Sequence, residues 1–152
     1  MPPWQTMIFP FMHNSCNSKE ILKLQRILYS AARLVKKLHR YHHNMSCVLK
    51  DLRWLSIRNR VTFKLCCFVH KAVYGMAPGY LSGLILPAVS QNASVSLRSH
   101  SSVSLTYPLL NSVRSRAAFC VSAPVAWNSL PANIRSTRNF YTFKRHLKHF
   151  LM

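Results

Sequence analysis

The chain has 152 residues, of which 21 are Lys or Arg and only two, Glu20 and Asp51, carry side-chain carboxylates; the formal net charge is +19. Glycosidase pairs and two-metal phosphoryl-transfer sites need acids clustered within a few ångströms, so both chemistries are excluded unless those two residues meet. Hydrophobic residues make up 49% of the chain, enough for a single core, and the composition reads as a folded binder of polyanions.

Residues 1–16 are apolar, lack a basic start and are interrupted by Pro10. They read as a poorly ordered lead-in and not as a secretory signal. No unbroken apolar run reaches the length of about eighteen residues that a membrane-spanning helix requires. Asn17 and Glu20 form a capping-box-like start for a helix over residues 18–38. On it Ile21, Leu24, Leu28, Ala31, Val35 and Leu38 recur at spacings of three and four. At about 100° per residue, Lys19, Lys23, Arg26, Arg33, Lys37 and Arg40 fall on the other side. The expectation is one packed face and one cationic face.

A short helix or turn over 46–52 leads to Trp54, and a second long helix is expected over 57–74, stopped by Gly75 and Pro78. Its apolar arc (Ile57, Val61, Leu65, Phe68, Ala72) is wide, while Arg60, Lys64 and Lys71 share a narrower polar strip. This is the helix expected to sit centrally and pack on more than one side. Residues 78–84 suggest another short helical turn.

The character changes over 87–115, which is rich in serine. Ser-Val-Ser-Leu occurs at 94–97 and again at 102–105. The alternation fits two short strands joined through 98–101, or a serine-rich flexible loop; residues 117–121 suggest a third strand. Pro124 suits the first position of a short helix carrying Trp127 and Leu130, closed by Pro131. A last helix from Asn139 aligns Phe140, Phe143, Leu147 and Phe150, with Lys144, Arg145 and Lys148 off that face. The fold class expected is therefore mainly α: amphipathic helices with a small β-hairpin or three-stranded element in the middle.

Cys16, Cys47, Cys66, Cys67 and Cys120 are odd in number and irregularly spaced. They support neither a disulfide framework nor a zinc ribbon, and read as reduced intracellular thiols. His39, His42 and His43 beside Cys47 read as a solvated basic helix end in preference to a metal site. Trp54 and Trp127 have apolar neighbours and read as core residues in preference to base-stacking platforms.

Taken in order, several pieces resemble the C-terminal part of reverse transcriptases from non-LTR retrotransposons, the LINE elements of jockey-like type. The matching residues are Leu24-Gln25-Arg26 with Ala31-Ala32-Arg33-Leu34-Val35, then Val48-Leu49, Leu52, Trp54-Leu55, Arg58-Asn59-Arg60 and Phe63-Lys64. Tyr74-Gly75, Ala77-Pro78, Tyr80-Leu81 and Leu97-Arg98-Ser99 follow. Ala118-Phe119, Ala123-Pro124, Trp127-Asn128-Ser129-Leu130-Pro131, Ile134-Arg135, Phe143-Lys144 and Leu147-Lys148 complete the pattern. The resemblance runs from about residue 20 to the end. Departures from the family's usual pattern are His43-Asn44 for Asp-His, Cys47 for Pro, Arg53 for His, Ser56 for Pro, and Ser115 where Gly is common.

The resemblance implies that residues 17–152 correspond to the thumb and the helical region after it in an RNA-directed DNA polymerase. The thumb of such enzymes grips the template–primer duplex by its backbone. The palm's metal-binding Asp-Asp motif has no counterpart, since the sequence holds one Asp. The expectation is a non-catalytic module, without metal, cofactor or small-molecule substrate, that binds RNA or DNA by backbone contacts. Its carriers would be Lys19, Lys23, Arg26, Arg33, Lys37 and Arg40, with Arg58, Arg60 and Lys64 as a second patch. An intracellular setting, nuclear or cytoplasmic, goes with this reading, and a membrane partner is not expected. Two alternatives stand beside it: a translated mobile-element remnant with no selected function, and a basic amphipathic protein that binds anionic membrane or a partner helix.

Overall fold

The computed structural model describes residues 18–39, 44–90, 105 and 119–152. Seven helices lie among them: α1 (Ser18–Lys36), α2 (Met45–Asp51), α3 (Ile57–Val73), α4 (Gly79–Ser90), α5 (Phe119–Asn128), α6 (Ala132–Arg135) and α7 (Phe140–Leu151). The chain is thus mainly helical, and no strand occurs among the described residues. The two strands expected over 94–105 lie outside the described residues except for Leu105, which is not in a strand. The N-cap expected at Asn17 and the lead-in over 1–16 also lie outside them.

The expected third strand over 117–121 is corrected in part, because Phe119, Cys120 and Val121 form the first turn of α5. Val121, Ala123, Ala126 and Trp127 are buried from this helix. Pro124 is not at its first position but inside it, with its ring fully buried. An internal proline removes a hydrogen bond and crowds the preceding turn, at a cost of about 3 kcal/mol; burial of its apolar ring among α5's core residues offsets part of that. Pro131 does end the expected segment, but it also serves as N-cap of the four-residue α6, which the sequence pattern did not suggest. Helix α4 continues past Gly83 and Pro87 to Ser90, where a change of character had been expected at residue 87. Tertiary packing overrides the turn signals here: Ile85 is completely buried in the main core.

Helix α3 occupies the centre, in contact with α1, α4, α5 and α7, as its wide apolar arc suggested. The face it buries is rotated from the expected one. Val61 and Phe68 are exposed, while Thr62, Cys66, Val69, His70 and Ala72 are buried. The two polar members of that face are tolerated because each has a backbone partner. Thr62 Oγ1 donates to the Arg58 carbonyl at 3.3 Å, and the His70 ring nitrogen Nε2 lies 2.8 Å from the Thr137 carbonyl. Around His70 the rings of Phe143 (4.3 Å between centroids), Tyr74 (4.5 Å) and Phe140 (5.6 Å) close a cage. Trp127, Phe143 and Leu147 are fully buried in the same core, each contributing on the order of 1.5–3 kcal/mol by area removed from water.

Two polar clamps tie distant segments to this core. The Asn128 side-chain amide accepts from Leu105 N–H at 2.9 Å and donates to the Leu105 carbonyl at 2.6 Å. Both backbone groups of a residue whose side chain is buried are thereby satisfied. Asn59 Nδ2 donates to the Leu151 carbonyl at 2.6 Å. That bond joins the start of α3 to the end of α7, while His70 meets Phe143 near the other ends. The two helices therefore run antiparallel.

A smaller second cluster joins Leu28 and Ala32 of α1 to Met45, Val48 and Leu49 of α2, with Trp54 and Ile57 packed against it. Gln25 Oε1 of α1 accepts from the Ile57 N–H at 2.9 Å and so caps α3 from outside; Ser56 Oγ caps it from within by accepting from Asn59 N–H.

Three helices end in the same way. Leu38, Trp54 and Met76 each donate an N–H to a carbonyl five residues back, at 3.0, 2.8 and 2.7 Å. The residue before each has a positive φ: Lys37 (52°), Arg53 (53°) and Gly75 (70°). This is the Schellman closure, which favours glycine at the left-handed position. Only the third helix end has one. Replacing Arg53 by Gly should raise stability by roughly 0.5–1 kcal/mol, since the left-handed penalty for a side chain exceeds the entropy that glycine adds to the unfolded chain. Gly75→Ala should lower it by about 1 kcal/mol; both are read from denaturant midpoints.

His70 generates a pH prediction. A carbonyl acceptor on Nε2 requires that nitrogen to carry the proton, leaving the buried Nδ1 without a partner. Burial holds the imidazole pKa below its ordinary value, with the Thr137 hydrogen bond pulling the other way. The unfolded chain therefore takes up the proton first. The stability this group contributes is whole above about pH 6.5 and is lost as the pH falls from there through the lowered folded value. The melting temperature of the parent should drop between about pH 7.5 and 5, and by less in His70→Phe.

Candidate nucleic-acid interface

Helix α1 shows how the cationic residues are displayed. Lys19, Lys23 and Arg26 are exposed on α1, as the helical spacing suggested, and Lys37 is exposed but lies past the helix end, at its left-handed closing position. Arg33 is half-buried, and its Nε is buried without a hydrogen-bond partner. It is therefore not a free member of the strip. Arg40 lies outside the described residues. The chain's few acids do little to offset this charge. Glu20 is exposed in the first turn of α1, and Asp51 lies 3.7 Å from Lys36, a solvated pair worth less than about 1 kcal/mol.

The apolar side of α1 departs from expectation. Ile21, Leu28 and Ala32 are buried, but Leu24 and Val35 from the expected stripe are exposed, together with Leu22, Ile27 and Leu34. Apolar residues occupy more of the helix circumference than the seven-residue α2 and the start of α3 can cover. The helix thus presents three faces: packed, exposed apolar and cationic.

The second expected patch divides. Arg58 is half-buried at the start of α3. Arg60 is exposed but turns its Nε–H back to the Leu55 carbonyl at 3.0 Å, which fixes part of the side chain on its own loop. Lys64 is exposed further along α3, where it shares the surroundings of the Cys67 thiol with Lys71 and with Lys144 of α7. The sequence places Lys71 on the polar strip of α3 and Lys144 off the apolar face of α7, but assigns neither to a site. Their signal is the spacing 64, 67, 68, 71 on one helix face combined with an antiparallel neighbour, which only the fold supplies.

The thiols differ by environment. Cys66 is fully buried, and burial pushes its pKa far above the ordinary range. Cys67 is half-buried; burial also raises its pKa, against the opposing pull of Lys144, Lys71 and Lys64. No group of three or more His, Cys, Asp or Glu side chains able to hold a metal forms among the described residues; His42 and His43 lie outside them. Trp127 is completely buried and Trp54 partly so. No described helix is long and apolar enough to cross a membrane.

Comparison with protein-family models, with curated proteins and with solved structures finds no match to this chain.

Proposed function

We propose that this chain is a non-catalytic nucleic-acid-binding module that contacts the phosphate backbone through basic helix faces, resembling the thumb and following helices of a LINE-type RNA-directed DNA polymerase. The observation that carries this reading is the display of exposed lysines and arginines along helix faces in a chain with only two side-chain carboxylates. Unneutralised cations in rows along helices attract polyanions and release counterions when they bind. Lysine and arginine rows position a protein on phosphates without reading bases, so either RNA or DNA is an acceptable partner. An intracellular setting, nuclear or cytoplasmic, belongs to the same reading.

The lack of catalysis follows from the carboxylates. Two-metal polymerisation needs acids to hold both ions, and Asp51 is engaged with Lys36 while Glu20 opens α1.

A second reading rests on the exposed apolar ridge of α1. Leu24, Ile27, Leu34 and Val35 are 51%, 66%, 80% and 58% exposed, on the same helix as Lys19, Lys23 and Arg26. Apolar and basic faces side by side also suit an anionic membrane surface or a partner helix.

The exposed cations of α1 and its closing turn (Lys19, Lys23, Arg26, Lys37) would engage about four phosphates, giving log affinity for duplex against log salt a slope of roughly −3.5 from these residues alone. Replacing Lys23, Arg26 and Lys37 by Gln should flatten the measured slope by about two to three units and weaken binding to all sequences alike. An unchanged slope removes α1 from the contact surface, and a salt-insensitive parent rejects the nucleic-acid reading.

Primer extension on RNA or DNA templates should be absent with any divalent metal. Incorporation above a no-protein control, surviving repurification, overturns the non-catalytic assignment.

A further inference from the structure

On α3, Lys64, Phe68 and Lys71 recur at i, i+4 and i+7, so they share one face over about 10 Å of helix. Phe68 is 43% exposed between the two lysines. The antiparallel α7 lies alongside and adds Lys144. The ammonium groups of Lys71 and Lys144 both stand over the Phe140 ring, at 5.0 and 5.5 Å from its centroid, which draws cations from the two helices to one place. The chain's only two side-chain carboxylates lie elsewhere, on α1 and α2. Lys71 and Lys144 thus meet at the edge of the α3–α7 seam, with Lys64 and the open ring of Phe68 beside them on the outer face of α3, and no side-chain carboxylate of α3 or α7 can neutralise them.

We propose that the outer face of α3 beside its seam with α7 is a binding platform for single-stranded nucleic acid, on which Phe68 stacks a base while Lys64, Lys71 and Lys144 take the flanking phosphates. The inference rests on the nucleic-acid reading above and adds the preference for unpaired strands. A base face is open to an aromatic side chain only when the strand is unpaired, and stacking platforms set in cationic grooves are the usual means of holding it. Lys71 and Lys144 are steadied by the ring they share, so less freedom is lost when a phosphate binds. A lipid surface is the less suitable occupant, because the seam offers one exposed aromatic between lysines and not a broad apolar face.

Cys67 is the built-in reporter. It flanks the same lysine row on the side toward α7, three residues from Lys64 and four from Lys71, and all three lysines act on its thiol. The full chain would be alkylated with iodoacetamide at mildly alkaline pH, with rates read for each cysteine by peptide mass spectrometry. Parallel samples would hold an oligo(dT) or oligo(U) of about a dozen nucleotides at saturation, a duplex of equal length, or vesicles of phosphatidylserine and phosphatidylcholine. Binding is followed independently by fluorescence anisotropy. The single strand should slow Cys67 at least about fivefold more than Cys120 of α5, the half-buried reference thiol, because it both covers the thiol and neutralises the lysines around it. Phe68→Ala, checked for unchanged helicity, should weaken single-strand affinity about fivefold or more while changing duplex affinity less than about twofold.

A bound oligonucleotide that leaves Cys67 no more protected than Cys120 overturns the platform while nucleic-acid binding stands. Equal loss of single-strand and duplex affinity in Phe68→Ala overturns the stacking role. Protection by vesicles without protection by oligonucleotide assigns the seam to membrane and overturns the proposal. Failure of every oligonucleotide to bind overturns the nucleic-acid reading itself.

Discussion

The architecture depends on one helix being packed from several directions at once. Helix α3 touches α1, α4, α5 and α7, and its buried side carries two polar groups, Thr62 and His70, in addition to Cys66, Val69 and Ala72. A polar ring at the centre of a core is tolerable only if its hydrogen-bonding demand is met. The Thr137 carbonyl meets it on one nitrogen, and that contact fixes the loop between α6 and α7 in place. Tyr74 reinforces the arrangement from the end of α3 by donating its hydroxyl hydrogen to the Arg135 carbonyl at 3.1 Å. The short C-terminal helices are therefore held to the hub by directional bonds as well as by apolar contact. This arrangement also fixes how α7 lies beside α3, and with it the seam of lysines on the outer surface.

The smaller α1–α2 cluster is attached differently. It meets the hub at the start of α3, through Ile57 and the Gln25 cap, and much of its apolar surface stays exposed. Its role in the proposed function is display. A helix held along one flank leaves the rest of its circumference available, and here that remainder carries both a cationic row and an apolar ridge. Electrostatic contact and apolar contact are adjacent on the same rod, so a partner that satisfies both gains more than one that satisfies either.

Much of the helical content was legible in the sequence. Ser18–Lys36, Ile57–Val73 and Phe140–Leu151 have strong periodicity or clear end signals, and Asn139 caps α7 by accepting from the N–H groups of Tyr141 and Thr142. The side chosen for burial was less legible. On α1 and α3 apolar residues occupy more of the circumference than the neighbours cover, so the pattern alone cannot say which arc is packed. Phe68 was assigned inward and lies outward, whereas Thr62 and His70 went unnoticed because their suitability depends on the Arg58 and Thr137 carbonyls. Pro124 misled as a start signal because burial in a dense core overrides proline's local preference. The α1 strip could be read from spacing within one segment. The α3–α7 cluster could not, since Lys71 and Lys144 are distant in sequence and are brought together by the antiparallel packing.

The near-absence of carboxylates has a consequence for regulation. With Glu20 and Asp51 as its two side-chain carboxylates, the chain has almost no acidic groups of its own to compete for its lysines and arginines, so whatever neutralises them must come from outside the chain. If the proposed function holds, competing polyanions, ionic strength and covalent changes such as lysine acetylation, which removes a charge outright, would be the effective means of releasing a bound strand.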